Sequence, residues 1–488
     1  MISFIYNILP RPLKRFVIGC FKLMRIVLYR IAGARSNDFT HQSAAFNSNY
    51  RKFQQQRRYG PLKHFCYAPH TSMFFSLHGN MAPCYATYGD KSDVFGEITI
   101  AQSWFHGSFE TIRYEHAQGN FDSNCSFCSH LLKQKAYGSM LMQKYEHYAF
   151  SKSRYPAIME FELSNRCKLE CIMCDNNLSS SICNNRGGQA YGENIYGEMF
   201  LEQLQEFIPH LRMAEFTGGD PFMIDIYYKI FDMIIENNPK CDMLITTNAN
   251  TMNSDIENLM AKTRRLHFNI SIDAVEKSLY EQIRKNGNFE TAMRNIEIFS
   301  RYCKKHKTSL NLLVCPMNIN SRNLPMIVEF GNSLGAGVFF HTVVKPAHLS
   351  LKYCSPHYLT ELVDYLKKFS FRRRTWNQRV NANNWANLIQ LVETWQAESQ
   401  LRLEEESKQQ PTQKSRPEQI IEQLMLLGDE VLTEKLQTFI DYISQQGLAR
   451  QAVELVSQME EDKLIDMLTK SSYNELVQFI TGKNNPKP

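Results

Sequence analysis

Residues 157–174 read Ala157-Ile-Met-Glu-Phe-Glu-Leu163, then Ser-Asn-Arg, then Cys167-Lys-Leu-Glu-Cys171-Ile-Met-Cys174. The first part is a β-type run. The last part sets three thiols on one loop with C-x3-C-x2-C spacing. Thiolate is the natural ligand of iron-sulfur clusters, and three on one loop can wrap a compact cluster. A four-iron cubane held by three protein ligands keeps one iron open, as a catalytic zinc keeps an open position. Taken alone, the triplet also suits three core cysteines or a zinc site.

Outward from this loop, short β-type runs alternate with amphipathic helical stretches from Tyr155 to about Phe371, the pattern of βα units in a parallel sheet or barrel. The strands expected are Ala157–Leu163, Glu215–Thr217, Met243–Thr247, His267–Ile272, Leu310–Val314 and Gly337–His341. They fit an α/β fold, a partial (β/α)6 TIM-like barrel whose C-terminal strand ends converge on one mouth. Phe216-Thr217-Gly218-Gly219-Asp220-Pro221, Thr246-Thr247-Asn248 and Ser271-Ile272-Asp273 end the second, third and fourth strands there.

Over about Tyr155 to Pro346 this ordered set resembles the radical S-adenosylmethionine superfamily, with its cysteine loop, Gly-Gly-Glu-like turn and polar strand ends. The resemblance implies that Cys167, Cys171 and Cys174 hold a 4Fe-4S cluster whose open iron chelates S-adenosylmethionine by its amino nitrogen and carboxylate. It implies that Gly218 and Gly219 let the backbone approach the methionine amino group and that Asp220, in place of the commoner Glu, accepts from it. A carboxylate still meets the ammonium. Ser271 and Arg284 resemble the pair that grips the methionine carboxylate, Arg284 through its planar fork of donors. Asn248 and Asp273 are candidates for the sulfonium side and ribose, and the Met173 main chain for adenine; turn formation is the plain alternative for Asn248 and Asp273. Asp175 is open between capping and chemistry.

A second group lies upstream: Cys66-x12-Gly79-x4-Cys84, then Gly96, Trp104, Arg113 and Cys125-x2-Cys128. It resembles the SPASM/twitch auxiliary-cluster domains of that superfamily, in the shorter one-cluster twitch form. The resemblance implies a second, fully closed auxiliary 4Fe-4S cluster on these four thiolates. Here the unit precedes the barrel, whereas in the family it follows, which leaves the cluster's orientation over the mouth open. A structural zinc ribbon is the competing reading of four cysteines in two pairs.

The 488 residues exceed one ordinary core, and five segments are expected: a basic amphipathic stretch (1–50), the cysteine-rich unit (51–140), the barrel (141–371), a helical extension and polar linker (372–416), and a C-terminal helical bundle (417–488). A net charge of +6 is modest for this length and does not indicate a dedicated nucleic-acid binder. Residues 1–34 carry Arg11, Arg15, Lys22 and Arg25 at helical spacing and lack an apolar run long enough to span a bilayer. They fit equally a membrane surface and a protein contact. Short C-x-x-C steps in a large chain favour metal ligation over disulfides and hence a reducing, cytoplasmic setting, at most peripheral to a membrane.

The resemblance further implies a low-potential electron donor such as a flavodoxin or ferredoxin, and a peptide or protein side chain as substrate. The alternatives are dehydrogenation of a small carbohydrate-type metabolite, or a non-catalytic iron-sulfur electron-transfer or partner-binding scaffold. His341, Lys345 and Cys315 could reach the mouth as acid, base or radical partner, with structural roles the ordinary alternative.

Overall fold

The computed structural model describes Phe39 and residues 42–59, 62–87, 92–121, 124–149, 151, 153–186 and 195–408. The expected basic segment 1–34 and the helical bundle 417–488 lie outside the described residues.

Strands alternating buried and half-buried residues have one face for helices and one for something else. Among the described residues the six expected strands pair in parallel, β4 (Ile158–Phe161), β6 (Met213–Phe216), β7 (Asp242–Thr247), β8 (Leu266–Ser271), β10 (Leu310–Val314) and β11 (Gly337–Phe340), and β6, β7, β8 and β10 alternate in this way. Each expected run has its strand, most shifted by one or two residues. On one face Met243, Ile245, Phe268, Ile270, Leu312 and Val338 join a core built with the helices. Among these helices are Glu198–Phe207, Asp225–Asn237, Phe289–His306 and Leu324–Leu334. The fold is mixed α/β around a large, mostly parallel sheet.

The sheet has nine strands, because the cysteine-rich unit contributes three. β1 (Ser72–Phe75) lies parallel on β4, with Ser72 opposite Ile158 and Phe75 opposite Phe161. β2 (Asn80–Ala82) and β3 (Asp93–Val94) follow antiparallel. Phe75 stacks on Phe161, ring centroids 5.5 Å apart, so the helix-side core runs across the joint. On the opposite face Ile158 and Ala157 belong to the core of the cysteine-rich unit, with Met213 packed against it. That unit therefore covers the inner face of the barrel at β4 and β6.

Two helices of the unit are Ala44–Gln56 and Ile100–His106. Ile100–His106 is too short to show an apolar period. Its signal is the Thr99–Gln102 capping box, in which the Thr99 hydroxyl accepts from the Gln102 amide and the Gln102 side chain accepts from the Thr99 amide. Trp104 is buried, its Nε1 donating to Arg154 O at 2.8 Å. The Arg113 guanidinium sits 4.5 Å over the indole and its Nε donates to Pro69 O at 2.7 Å, which fixes the backbone just after Cys66.

Two charge groups hold the unit, the first of them buried. Arg57 Nε and Glu146 Oε1 are 2.7 Å apart, with side chains 0% and 2% exposed, and Arg57 also donates to Gln54 Oε1, His64 O and Phe65 O. Lys144 pairs with Glu160 of β4 at 2.6 Å and Glu215 of β6 at 2.7 Å, while Tyr145 and Ser72 donate to Glu160. This group ties the unit to two barrel strands. Removing one partner of a buried pair leaves the other charge unmatched. Arg57→Met is expected to lower unfolding free energy by about 3–5 kcal/mol, measured by urea denaturation.

Candidate functional site

Residues 164–186 leave β4 and carry the thiols of Cys167, Cys171 and Cys174 across the C-terminal strand ends. Two backbone contacts place this loop. Glu170–Cys171 (β5) pairs antiparallel with Arg284–Lys285 (β9), setting Cys171 opposite Arg284. Gly219 N donates to Ser164 O at 3.0 Å and Asp220 N to Arg166 O at 2.8 Å. A Cβ on Gly218, which has φ +99°, would stand 2.4 Å from Ser164 O, and one on Gly219 2.3 Å from Arg166 O. The paired glycines are thus required for the turn to lie against the cysteine loop. Gly219→Ala is expected to destabilise the fold by on the order of 2 kcal/mol and to lower iron incorporation, read by chemical denaturation and by iron analysis after anaerobic reconstitution.

The thiols already meet N–H donors. Cys167 Sγ accepts from Leu169 N at 3.4 Å and Asn248 Nδ2 at 3.7 Å, and Cys171 Sγ from Arg284 Nη1 at 3.9 Å. Burial pushes the Cys167 thiol up to about 12 and raises Cys171 and Cys174 as well. Such thiols stay protonated at neutral pH unless a metal displaces the proton.

Asp220 is wholly buried; its Oδ1 accepts from Thr247 Oγ1 at 2.8 Å, whereas Oδ2 has no hydrogen-bond partner among the described residues. Burial raises its pKa, opposed first by the Thr247 hydrogen bond. Arg284 Nη2 is 2.6 Å from Asp273 Oδ2, both side chains nearly or fully inaccessible, and Asp273 Oδ1 accepts from Cys315 N at 2.7 Å. Ser271 ends β8 half-buried, and Met173 packs partly buried against the helix-side core. Asp175 caps: its Oδ1 accepts from Asn177 N at 2.9 Å and Leu178 N at 3.2 Å. Asn248 forms a local turn, accepting from Asn250 N at 2.9 Å, and still reaches Cys167.

In the other unit, Cys66, Cys84, Cys125 and Cys128 line one cavity with Phe65, Phe127, Leu141, Met142 and Tyr145. The structure brings together four thiols that are far apart in sequence. Ala68 N donates to Cys66 Sγ at 3.3 Å, and His116 Nε2 lies 3.1 Å from Cys125 Sγ. Burial pushes Cys84 up to about 12 and raises the other three. Among the described residues no group of three or more His, Cys, Asp and Glu is arranged to hold a single metal ion. A cubane spaces its thiolates more widely than one ion does, so this fact bears on a mononuclear site. Thiols in an apolar cavity, met by N–H donors, fit an iron-sulfur cluster.

Sequence reading missed Glu162. It follows β4, its amide donates to Phe75 O at 2.9 Å, and its place in the alternation puts it on the face away from the helices. Thr246, Asn269 and Asn311 stand side by side on that face, Asn311 Nδ2 donating to Asn269 Oδ1 at 3.0 Å. Burial, with Asp175 adding, pushes Glu162 up to about 7. A carboxyl raised in the native state binds more protons folded than unfolded between pH 4.5 and 7, so its contribution to stability falls as pH rises through that window. Glu162→Gln is expected to flatten the stability-pH curve there, a difference on the order of 3 kcal/mol by pH 8, followed by urea unfolding.

With the geometry in place, the chain compares with known proteins as follows. Residues 161–324 match the Radical SAM superfamily. The probable GTP 3′,8-cyclase of Methanocaldococcus jannaschii is 26% identical over 181 residues, 36% of this chain and 56% of that protein. The mycofactocin maturase MftC of Mycobacterium tuberculosis (strain H37Rv) is 25% identical over 147 residues, 29% of this chain and 34% of that protein. The structure of Streptococcus suis SuiB bound to S-adenosylmethionine aligns with TM-score 0.33 and 16% identity, covering 55% of this chain and 59% of that one. The chain spans about half the length, or less, of these curated relatives. The similarity to the Radical SAM superfamily thus lies in residues 161–324, about a third of the chain.

Proposed function

We propose that the chain reductively cleaves S-adenosylmethionine at the Cys167/Cys171/Cys174 loop and uses the radical on a substrate held over the inner face of the barrel. The supporting observation is the constellation around that loop: the buried Cys167 and half-buried Cys171 and Cys174 thiols, an Asp220 oxygen with no hydrogen-bond partner among the described residues, and buried Arg284 paired opposite Cys171. When bound, the reduced cluster and S-adenosylmethionine supply a 5′-deoxyadenosyl radical that abstracts a hydrogen atom. Cys167, Cys171 and Cys174 would hold the cluster. Asp220 Oδ2 is a buried acceptor without a donor, and an ammonium would satisfy it. Arg284 is oriented by Asp273, with its Nη1 at Cys171 Sγ, so together with Ser271 it would receive the methionine carboxylate. Asn248 steadies Cys167.

Cys66, Cys84, Cys125 and Cys128 would hold a closed auxiliary cluster able to accept the electron left on the substrate radical, making the outcome a two-electron oxidation. A peptide or protein side chain is the substrate class we favour, by resemblance of this unit to auxiliary domains of peptide-modifying relatives. The edge strand β11 is already engaged, since Val338 N donates to Asn381 Oδ1 and Asn384 Nδ2 donates to Val338 O, each at 2.7 Å. A peptide therefore reaches the site across the inner face, where Glu162 stands, and not by adding a strand at Val338. The polar row of Thr246, Asn269 and Asn311 favours the second reading, a small polyhydroxylated substrate.

The deciding experiment measures 5′-deoxyadenosine from anaerobically reconstituted protein with S-adenosylmethionine and a low-potential reductant. Formation is expected with the native cysteines and a loss of at least a hundredfold with Cys167→Ala. Absence of both cleavage and cofactor binding in protein of verified cluster content would overturn the reading. Once a substrate is found, Cys125→Ala is expected to keep deoxyadenosine formation and lose product.

A further inference from the structure

The four thiols of the auxiliary cavity differ in what donates to them. Cys66 Sγ accepts from the Ala68 amide at 3.3 Å, and Cys128 takes backbone donors from Leu141 and Met142. Cys84 has the Ala86 amide; the Thr87 hydroxyl beside it, 3.7 Å away, donates instead to Cys84 O at 2.9 Å. At Cys125 the neighbour is a side chain, the His116 imidazole with Nε2 3.1 Å from the sulfur. The ring is clamped by aromatic edges, Phe121 at 5.3 Å and Phe65 at 6.0 Å between centroids. His116 is 4% exposed, and its Nδ1 has no hydrogen-bond partner among the described residues.

A cysteine sulfur bound to iron carries no proton, so a contact this short requires the hydrogen on Nε2. Ligation therefore fixes the tautomer, and Nδ1 keeps its lone pair. An N–H donated to a ligating sulfur withdraws charge from the cluster and stabilises its more negative, reduced form. The cavity is apolar and buried, where such a bond is electrostatically strong.

We propose that His116 is a positioning residue for the auxiliary cluster, donating Nε2–H to the Cys125 sulfur and thereby raising the cluster's reduction potential. The inference rests on the reading that Cys66, Cys84, Cys125 and Cys128 ligate an iron-sulfur cluster. His116 makes the cluster a better electron acceptor without supplying a ligand.

The test uses full-length protein carrying Cys167→Ala, Cys171→Ala and Cys174→Ala, reconstituted anaerobically so that the auxiliary cluster alone is read. Its potential is followed by electron paramagnetic resonance during a redox titration. His116→Phe is expected to retain the cluster and shift its potential negative, and His116→Gln, with an amide N–H, to restore much of the difference. An unchanged potential in His116→Phe at full iron content would overturn the proposal. Failure of the parent to bind iron would overturn the ligation reading and the proposal with it. A check free of position-116 variants is electron-nuclear double resonance on the reduced parent labelled with 15N-histidine. A weak histidine nitrogen coupling with an exchangeable proton is expected; its absence removes the donor.

Discussion

Four residues, Ser72–Phe75, laid in parallel on Ile158–Phe161, put both thiol groups on one sheet. The pairing brings with it the Lys144 charge group, which spans from the cysteine-rich unit to Glu160 and Glu215. It also lets Phe75, Phe161 and Phe216 stack in one layer on the helix side. Without it the unit would be a separate module whose four thiols could sit at any distance from the barrel mouth. With it, the cavity of Cys66, Cys84, Cys125 and Cys128 shares Tyr145 with the Glu160 group of β4.

A second constraint acts at the mouth, where two backbones approach too closely for side chains. Gly218 and Gly219 lie against Ser164–Arg166, and β5 lies on β9. These contacts bring the Gly218–Asp220 turn and Arg284 against the cysteine loop. The amides of Gly219 and Asp220 are taken by Ser164 O and Arg166 O, and Asp220 Oδ2 has no hydrogen-bond partner among the described residues.

The barrel was legible because its strands alternate in hydrophobicity and its chemistry sits in contiguous motifs. Cys167, Cys171, Cys174 and the Gly218-Gly219-Asp220 turn could be read directly. The four auxiliary cysteines were legible as a group, and the structure gathers them around one cavity. What was not legible depends on partners far away in sequence. Ser72–Phe75 has no local mark distinguishing a hairpin strand from one that joins the barrel. Glu162 and His116 are single polar residues whose surroundings come from loops dozens of residues distant, and burial alone gives them significance. The Asp273–Arg284 pair was read as two cofactor contacts because spacing cannot show that one orients the other.

The order of pairing has a bearing on biosynthesis. Ser72–Phe75 leaves the ribosome with its hairpin partner Asn80–Ala82 close behind, but the strand that covers its other edge begins 86 positions later, at Ile158. All four auxiliary cysteines emerge before that strand does. During the interval a buried-type strand, Ser-Met-Phe-Phe, presents an open row of backbone donors and acceptors, the kind of edge that recruits other chains. Translation speed and chaperone access between residues 75 and 158 thus bear directly on how much of the nascent chain reaches the native sheet.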